Sequence, residues 1–160
     1  MANTQSMCTS FLADLLSAAQ NFSSANVAKT ANTADTFKAA LYLTTATINA
    51  ATTAYTASGE VSGTGYTAGG ITVTNAVNPA YTNSSATAGV GYWTPSASLV
   101  YSSVTLSTAF DTVLIYNNTL SGKNSVSVHT FGAQTITAGT FTLTMPSNTT
   151  TTALLRLSTT

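Results

Sequence analysis

The sequence predicts a mainly β domain, an antiparallel β-sandwich of jelly-roll or immunoglobulin-like type, preceded by a short N-terminal amphipathic helix. Three observations carry this. Threonine supplies about a fifth of the 160 residues, and β-branched side chains suit a pleated, half-buried surface. The second half breaks into short segments of alternating hydrophobicity about 8–14 residues apart, the spacing of sandwiches and barrels. A helical period occurs in one place, near the N-terminus.

That place is the run Met7, Cys8, Phe11, Leu12, Leu15, Leu16 and Ala19, spaced by threes and fours along one stripe. Thr9 or Ser10 is the expected N-cap. Asn21 to Thr36, rich in Asn, Ser, Thr and Ala, reads as a connector, so residues 1–36 form an appendage of helix and connector and residues 37–160 form the sandwich. Phe37 to Leu43 is a compact apolar run, a buried strand. Thr44 to Ser58 is ambiguous. Gly59 to Gly70 holds five glycines and reads as a long shaped loop with positive-φ positions. Ile71 and Val73 alternate with Thr72 and Thr74 as a half-buried strand that ends by Pro79. Five more strands are expected at Leu99 to Leu106, Asp111 to Tyr116, Ser125 to Phe131, Thr140 to Met145 and Ala153 to Leu157, separated by Asn-Asn, Gly-Lys-Asn, Ala-Gly and Pro-Ser-Asn turn signals.

Charge is the compositional anomaly. Hydrophobic residues are 44% of the chain and aromatics 9%, enough to fill a core, yet only 5% is Asp, Glu, Lys or Arg, with net charge zero. A typical domain carries ~25% charged residues. Lys29, Lys38, Lys123 and Arg156 stand singly, whereas a phosphate-binding surface needs them clustered, so nucleic-acid binding is not expected. No apolar stretch approaches the ~20 residues of a membrane span, and Met1 to Ser10 lacks the basic start of an export signal. A neutral, charge-poor surface promotes association, which points to contacts with other subunits.

Chemistry has few residues to work with. Asp14, Asp35, Glu60, Asp111 and His129 are the only side chains that titrate near neutrality apart from Cys8, and no G-x-S-x-G elbow surrounds a serine, so no catalytic residue is assigned. One Cys and one His match no zinc pattern, and Gly63-x-Gly65 lacks the rest of a phosphate-binding fingerprint; no metal or cofactor is expected. Lone Cys8 forms no internal disulfide. The four N-x-[ST] sequons at Asn21, Asn83, Asn117 and Asn148 are what a chain this rich in Ser and Thr contains by chance. Two sets of residues remain as candidate contacts. The Phe11, Leu12, Leu15, Leu16 stripe is either packing under the domain's own sheet or a protein interface. Tyr92 and Trp93, with Tyr81 and Tyr101 nearby in sequence, suit a core or subunit interface better than a sugar platform, and Tyr92 and Trp93 are the candidate surface aromatic patch.

Asp35-Thr36-Phe37-Lys38-Ala39-Ala40-Leu41-Tyr42, Thr52-Thr53-Ala54-Tyr55 and, most specifically, Glu60-Val61-Ser62-Gly63-Thr64-Gly65-Tyr66-Thr67-Ala68-Gly69-Gly70 occur in that order. Leu114-Ile115-Tyr116-Asn117, Phe131-Gly132, Phe141-x-Leu143-x-Met145-Pro146 and Ala153-Leu154-Leu155-Arg156-Leu157 follow. Together they resemble a family of small proteins encoded among the structural genes of tailed bacteriophages, over roughly residues 10–157. The chain departs from that pattern at Asn75 to Val100. The resemblance implies a non-enzymatic virion component, bound to the capsid exterior or the head-to-tail region, and brings no binding residues with it.

The expected function is therefore a capsid decoration or cement protein, assembled in the host cytoplasm and located in the virion. Its partners are the major capsid protein or other virion proteins and further copies of itself, a trimer included; neither nucleic acid nor membrane is among them. A neck, tail or fibre protein and a glycan-binding β-module are the alternatives.

Overall fold

In a computed structural model of the chain, the described residues are 3–23, 33–75, 77–85 and 88–159, with backbone alone for 83–85 and 88. Residues 24–32 of the expected connector lie outside them. The order is β1 (Ser6–Met7), α1 (Thr9–Leu16), β2 (Phe37–Leu43), β3 (Ile71–Thr72), β4 (Ala80–Ser85), β5 (Ala88–Trp93), β6 (Leu99–Asn117), β7 (Ser125–Leu143) and β8 (Leu155–Ser158). They form a five-stranded sheet, β1-β7-β6-β2-β3, and a three-stranded sheet, β4-β5-β8, antiparallel throughout. This is the mainly β, two-sheet class that the Thr-rich alternating pattern predicts.

Three sequence expectations need correction. The segments read as four strands between Leu99 and Met145 are two strands of 19 residues each, β6 and β7, because the residues between them, 107–110 and 132–139, are irregular parts of one ladder and not turns. Ser103 (φ 55°) and Ala138 (φ 46°) sit near these register shifts. The helix is shorter than its apolar stripe, and its N-cap is Cys8, without a side-chain cap, in place of Thr9 or Ser10. The stretch between Pro79 and Leu99, where no strand was expected, contains β4 and β5.

The turn between β6 and β7 is set by Asn117. Its side chain is buried; Oδ1 accepts from Thr119 N–H and Leu120 N–H, while Nδ2 donates to Gln20 Oε1 and Asp35 Oδ2. One amide thereby closes the hairpin and ties it to the N-terminal segment.

Farther along the same ribbon, Phe110 packs on both Phe131 (5.9 Å) and Phe141 (5.1 Å). Phe141 is the ladder partner of Tyr101, nine residues before Phe110. The ribbon therefore doubles back on itself through its bulged middle, as strands do when they pass from one layer to the next.

Both faces of the large sheet are covered. Phe37, Ala39, Leu41, Val113 and Ile115 share one face by register, and all are fully buried. Phe22 is the pivot there: it stacks on Phe37 at 4.3 Å, meets Phe11 of α1 edge-on at 5.8 Å and touches Trp93 of β5 at 4.7 Å. Helix, large sheet and small sheet thus meet at one aromatic ring. N-terminal to the helix, β1 pairs with β7, and Cys8 N–H donates to the Val126 carbonyl. Cys8 itself is fully buried, which pushes its thiol pKa up.

The opposite face is covered by residues 44–70. Gly59 to Val61 runs along β2, with Leu43 N–H donating to the Gly59 carbonyl and Val61 N–H to the Leu41 carbonyl. The glycine-rich loop then crosses to the doubled-back part of β6, where Thr105 N–H donates to the Thr64 carbonyl. Gly70 (φ +73°) shows why the loop needs glycine: a Cβ there would lie 1.7 Å from the Ala39 carbonyl oxygen.

Glu60 anchors this loop. Its carboxylate accepts from Tyr55 O–H (2.6 Å), Tyr66 O–H (2.7 Å) and Gly69 N–H (2.7 Å). Tyr116 O–H reaches the Gly69 carbonyl and Tyr101 O–H the Ala39 carbonyl. Burial first, and the Glu60 charge next, raise the Tyr116 pKa to about 12. Burial likewise leads the upward shifts of Tyr42, Tyr55, Tyr66 and Tyr101, so all five phenols stay protonated and available as donors.

Candidate interaction groove

The rows of the small sheet explain its surface. Tyr81, Gly91 and Leu157 lie side by side across β4, β5 and β8, on the face that also carries Trp93 and Leu155. Trp93 is buried against Phe22 and Phe37 with its ladder partner Leu155 buried too, but the next row of the sheet is left uncovered. Tyr81 is therefore 76% exposed and Leu157 44% exposed on a face that elsewhere belongs to the core.

Between this uncovered row and the helix runs an open apolar groove of about 160 Å³. Phe11 and Leu15 form the helix wall, Phe22 and Trp93 the inner end, and Gly91 with Leu157 the sheet side. Among the described residues, no charged one lines it. Gly91 leaves the sheet side open, because a Cβ added there would touch nothing within 4 Å. Beside the groove, on the exposed side of α1, stand Leu12 (45% exposed) and Leu16 (92% exposed).

The two sets of residues singled out in the sequence meet here: Phe11 and Leu15 of the helix stripe, and Tyr92 and Trp93 of β5, line the same groove. The stripe itself is divided. Phe11 is core, Leu15 is half-buried, and Leu12 and Leu16 face outward, because eight residues of helix bury a stripe only as wide as the surface beneath. The surface patch of Tyr92 and Trp93 needs correction. Trp93 is 3% exposed, and its indole N–H is shared between Asn75 Oδ1 and the Val77 carbonyl. Tyr92 is half-buried, so with Trp93 buried the two rings do not form an exposed platform there.

Sequence reasoning missed Phe22, Pro79, Gly91 and Leu157 as lining residues. The alternation of Leu155 and Leu157 was a readable signal, but its partner row on β4 and β5 was not. No family model, curated protein or solved structure matches the chain.

The titratable residues are placed in structural networks. Asp14 accepts from Gln20 and Asn124, Asp35 from Asn21 N–H and Asn117, and Asp111 from Asn3 and Thr112. His129 lies in a polar hollow with Gln5, Ser127, Thr152 and Arg156. Its Nε2 shares a 2.9 Å hydrogen bond with Ser127 Oγ, and burial lowers its pKa to about 4. The ring is neutral at pH 7, and Ser127 is buried beside it.

Proposed function

We propose that this chain is a non-enzymatic structural protein of a tailed-phage virion, a decoration protein of the capsid exterior, and that the groove is an assembly surface. One observation carries the reading: an uncharged apolar groove flanked by outward-facing Leu12, Leu16, Tyr81 and Leu157, on a chain of which only 5% is charged. Exposed apolar surface of this kind marks sites of association. The resemblance of the Glu60 to Gly70 string and its flanks to phage structural proteins supplies the setting. A groove that no charged residue lines among the described residues suits a partner recognised by shape and apolar burial, without charge steering.

Many weak contacts suffice for such a protein. A standard interface of ~800 Å² per partner yields only a modest net affinity after association costs, and multiple copies on a repeating shell raise it by avidity.

Quantitative mass spectrometry of purified particles against the major shell protein tests the proposal. Hundreds of copies per particle are expected. About 3–18 copies, the range of small rings, would overturn decoration in favour of the neck or tail. Absence from the particle would overturn the virion reading altogether.

A further inference from the structure

We propose that the polar hollow beside His129 is a binding site for a small hydroxylated carboxylate, the chemistry of a sugar acid. This goes beyond the assembly role of the groove, which the hollow meets only at Leu155. The register of the large sheet gives the first reason. Ala39, Ile115 and Ser127 form one row across β2, β6 and β7, and Leu41, Val113 and His129 form the next on the same face. The β2 and β6 members are apolar and fully buried, whereas both β7 members are polar, and Ser127 is only 1% exposed. Polar side chains at core-facing strand positions need partners there and are kept for a use.

What faces them gives the second reason. Strand β1 is an edge of the large sheet and β8 an edge of the small one, and residues of both line the hollow, which holds about 440 Å³. Small-molecule sites span ~300–1,000 Å³. Ser127 Oγ and His129 Nε2 satisfy each other at 2.9 Å, while His129 Nδ1 makes no hydrogen bond among the described residues. Arg156, the only arginine of the chain, stands exposed in the same wall. Among the described residues it pairs with no carboxylate, its Nη1 reaching the Thr150 carbonyl at 3.5 Å, and no acidic residue lines the hollow.

These groups define the ligand. A guanidinium without a counter-charge matches one carboxylate, whose two oxygens fit its paired N–H donors. A dianion would bring a second charge that nothing in the hollow meets, since the His129 ring is neutral at pH 7. Gln5 and His129 Nδ1 are left to bond hydroxyls, and Met7 and Leu154 offer apolar surface to the C–H groups of a hydroxylated carbon chain.

Isothermal titration calorimetry of the full chain at pH 7 tests this with sodium glucuronate and sodium gluconate, a ring and an open chain, as probes. Saturable one-to-one binding of at least one is expected, with acetate (the charge alone) and glucose (the hydroxyls alone) each about tenfold weaker or more. Arg156→Gln should weaken binding about tenfold or more, as loss of a charged hydrogen-bonding partner does. Because Arg156 is exposed, the thermal midpoint of that variant without ligand should equal that of the parent. The His129 ring protons should shift in an NMR titration with the bound probe.

The proposal is overturned if neither probe gives saturable heat, if acetate, glucose or inorganic phosphate binds as tightly as the sugar acids, if Arg156→Gln binds as well as the parent, or if the His129 resonances stay still. All of these measurements use the purified chain, so their failure leaves the virion reading standing, and a copy number that defeats the virion reading leaves the hollow standing.

Discussion

The rings of Phe131 and Phe141 lie 5.1 Å apart although both belong to β7 and ten residues separate them. Ten residues of straight strand would span ~33 Å. Strand β7 therefore reverses within its own length, about Ile136, which is paired with Leu106 of β6. The sequence is nearly symmetric about that residue, reading Thr-Phe, three residues, Thr-Ile-Thr, three residues, Phe-Thr from Thr130 to Thr142. The two phenylalanines meet because they are equidistant from the bend, and Phe110 closes the cluster from β6.

Truncation of this cluster should open the bend. Phe141→Ala removes a buried ring that touches Tyr101, Phe110 and Phe131. A loss of about 3–5 kcal/mol is expected from chemical denaturation, as for other buried Phe to Ala changes. A loss below about 1 kcal/mol would mean that the backbone pairing alone holds the reversal.

The Glu60 carboxylate should matter more than any one of the phenols that bind it. Glu60→Ala strands the Tyr55 and Tyr66 hydroxyls and the Gly69 N–H at once and should cost about 2–4 kcal/mol. Tyr55→Phe removes a single donor and should cost about 1 kcal/mol. Equal losses from the two, measured by urea unfolding, would refute the hub role of Glu60.

Two glycines of opposite character offer a paired test. Gly70→Ala meets the Ala39 carbonyl at 1.7 Å in a left-handed conformation and should cost about 3 kcal/mol or more. Gly91→Ala meets nothing and should be neutral or stabilising. Thermal unfolding of both at one low protein concentration decides it.

Stability should fall with acid through His129. Its pKa is lowered from 6.5 to about 4 by burial, so between these values the unfolded chain binds more protons than the folded one. The contribution is fully present above about pH 6.5 and is lost as the pH falls toward 4. Because the ring is partly exposed, the loss is of order 1–3 kcal/mol. The variant His129→Gln should show a flatter stability profile across that window; an unchanged profile would rule out His129 as the cause.

Much of this molecule is legible in local sequence. Threonine content and two-residue alternation specify strands, since a pleated backbone turns every second side chain to the same face. The period through Phe11 and Leu15 specifies a helix, and the glycines of the Glu60 string specify a loop with left-handed turns, as Gly65, Gly69 and Gly70 have. These are short-range properties of neighbouring residues.

What local pattern does not contain is which rows become neighbours. Whether Ala138 and Gly139 end a strand or bulge within one depends on β6 lying alongside. The burial of Trp93 depends on Phe22, 71 residues earlier, arriving over it. The groove arises for the same reason: Trp93 and Leu155 are buried, while Leu157 in the next row of the small sheet stays 44% exposed. Composition alone determined that this chain is β-rich and nearly uncharged. Tertiary structure decided which apolar side chains are core and which are surface, because that depends on whether another segment reaches them.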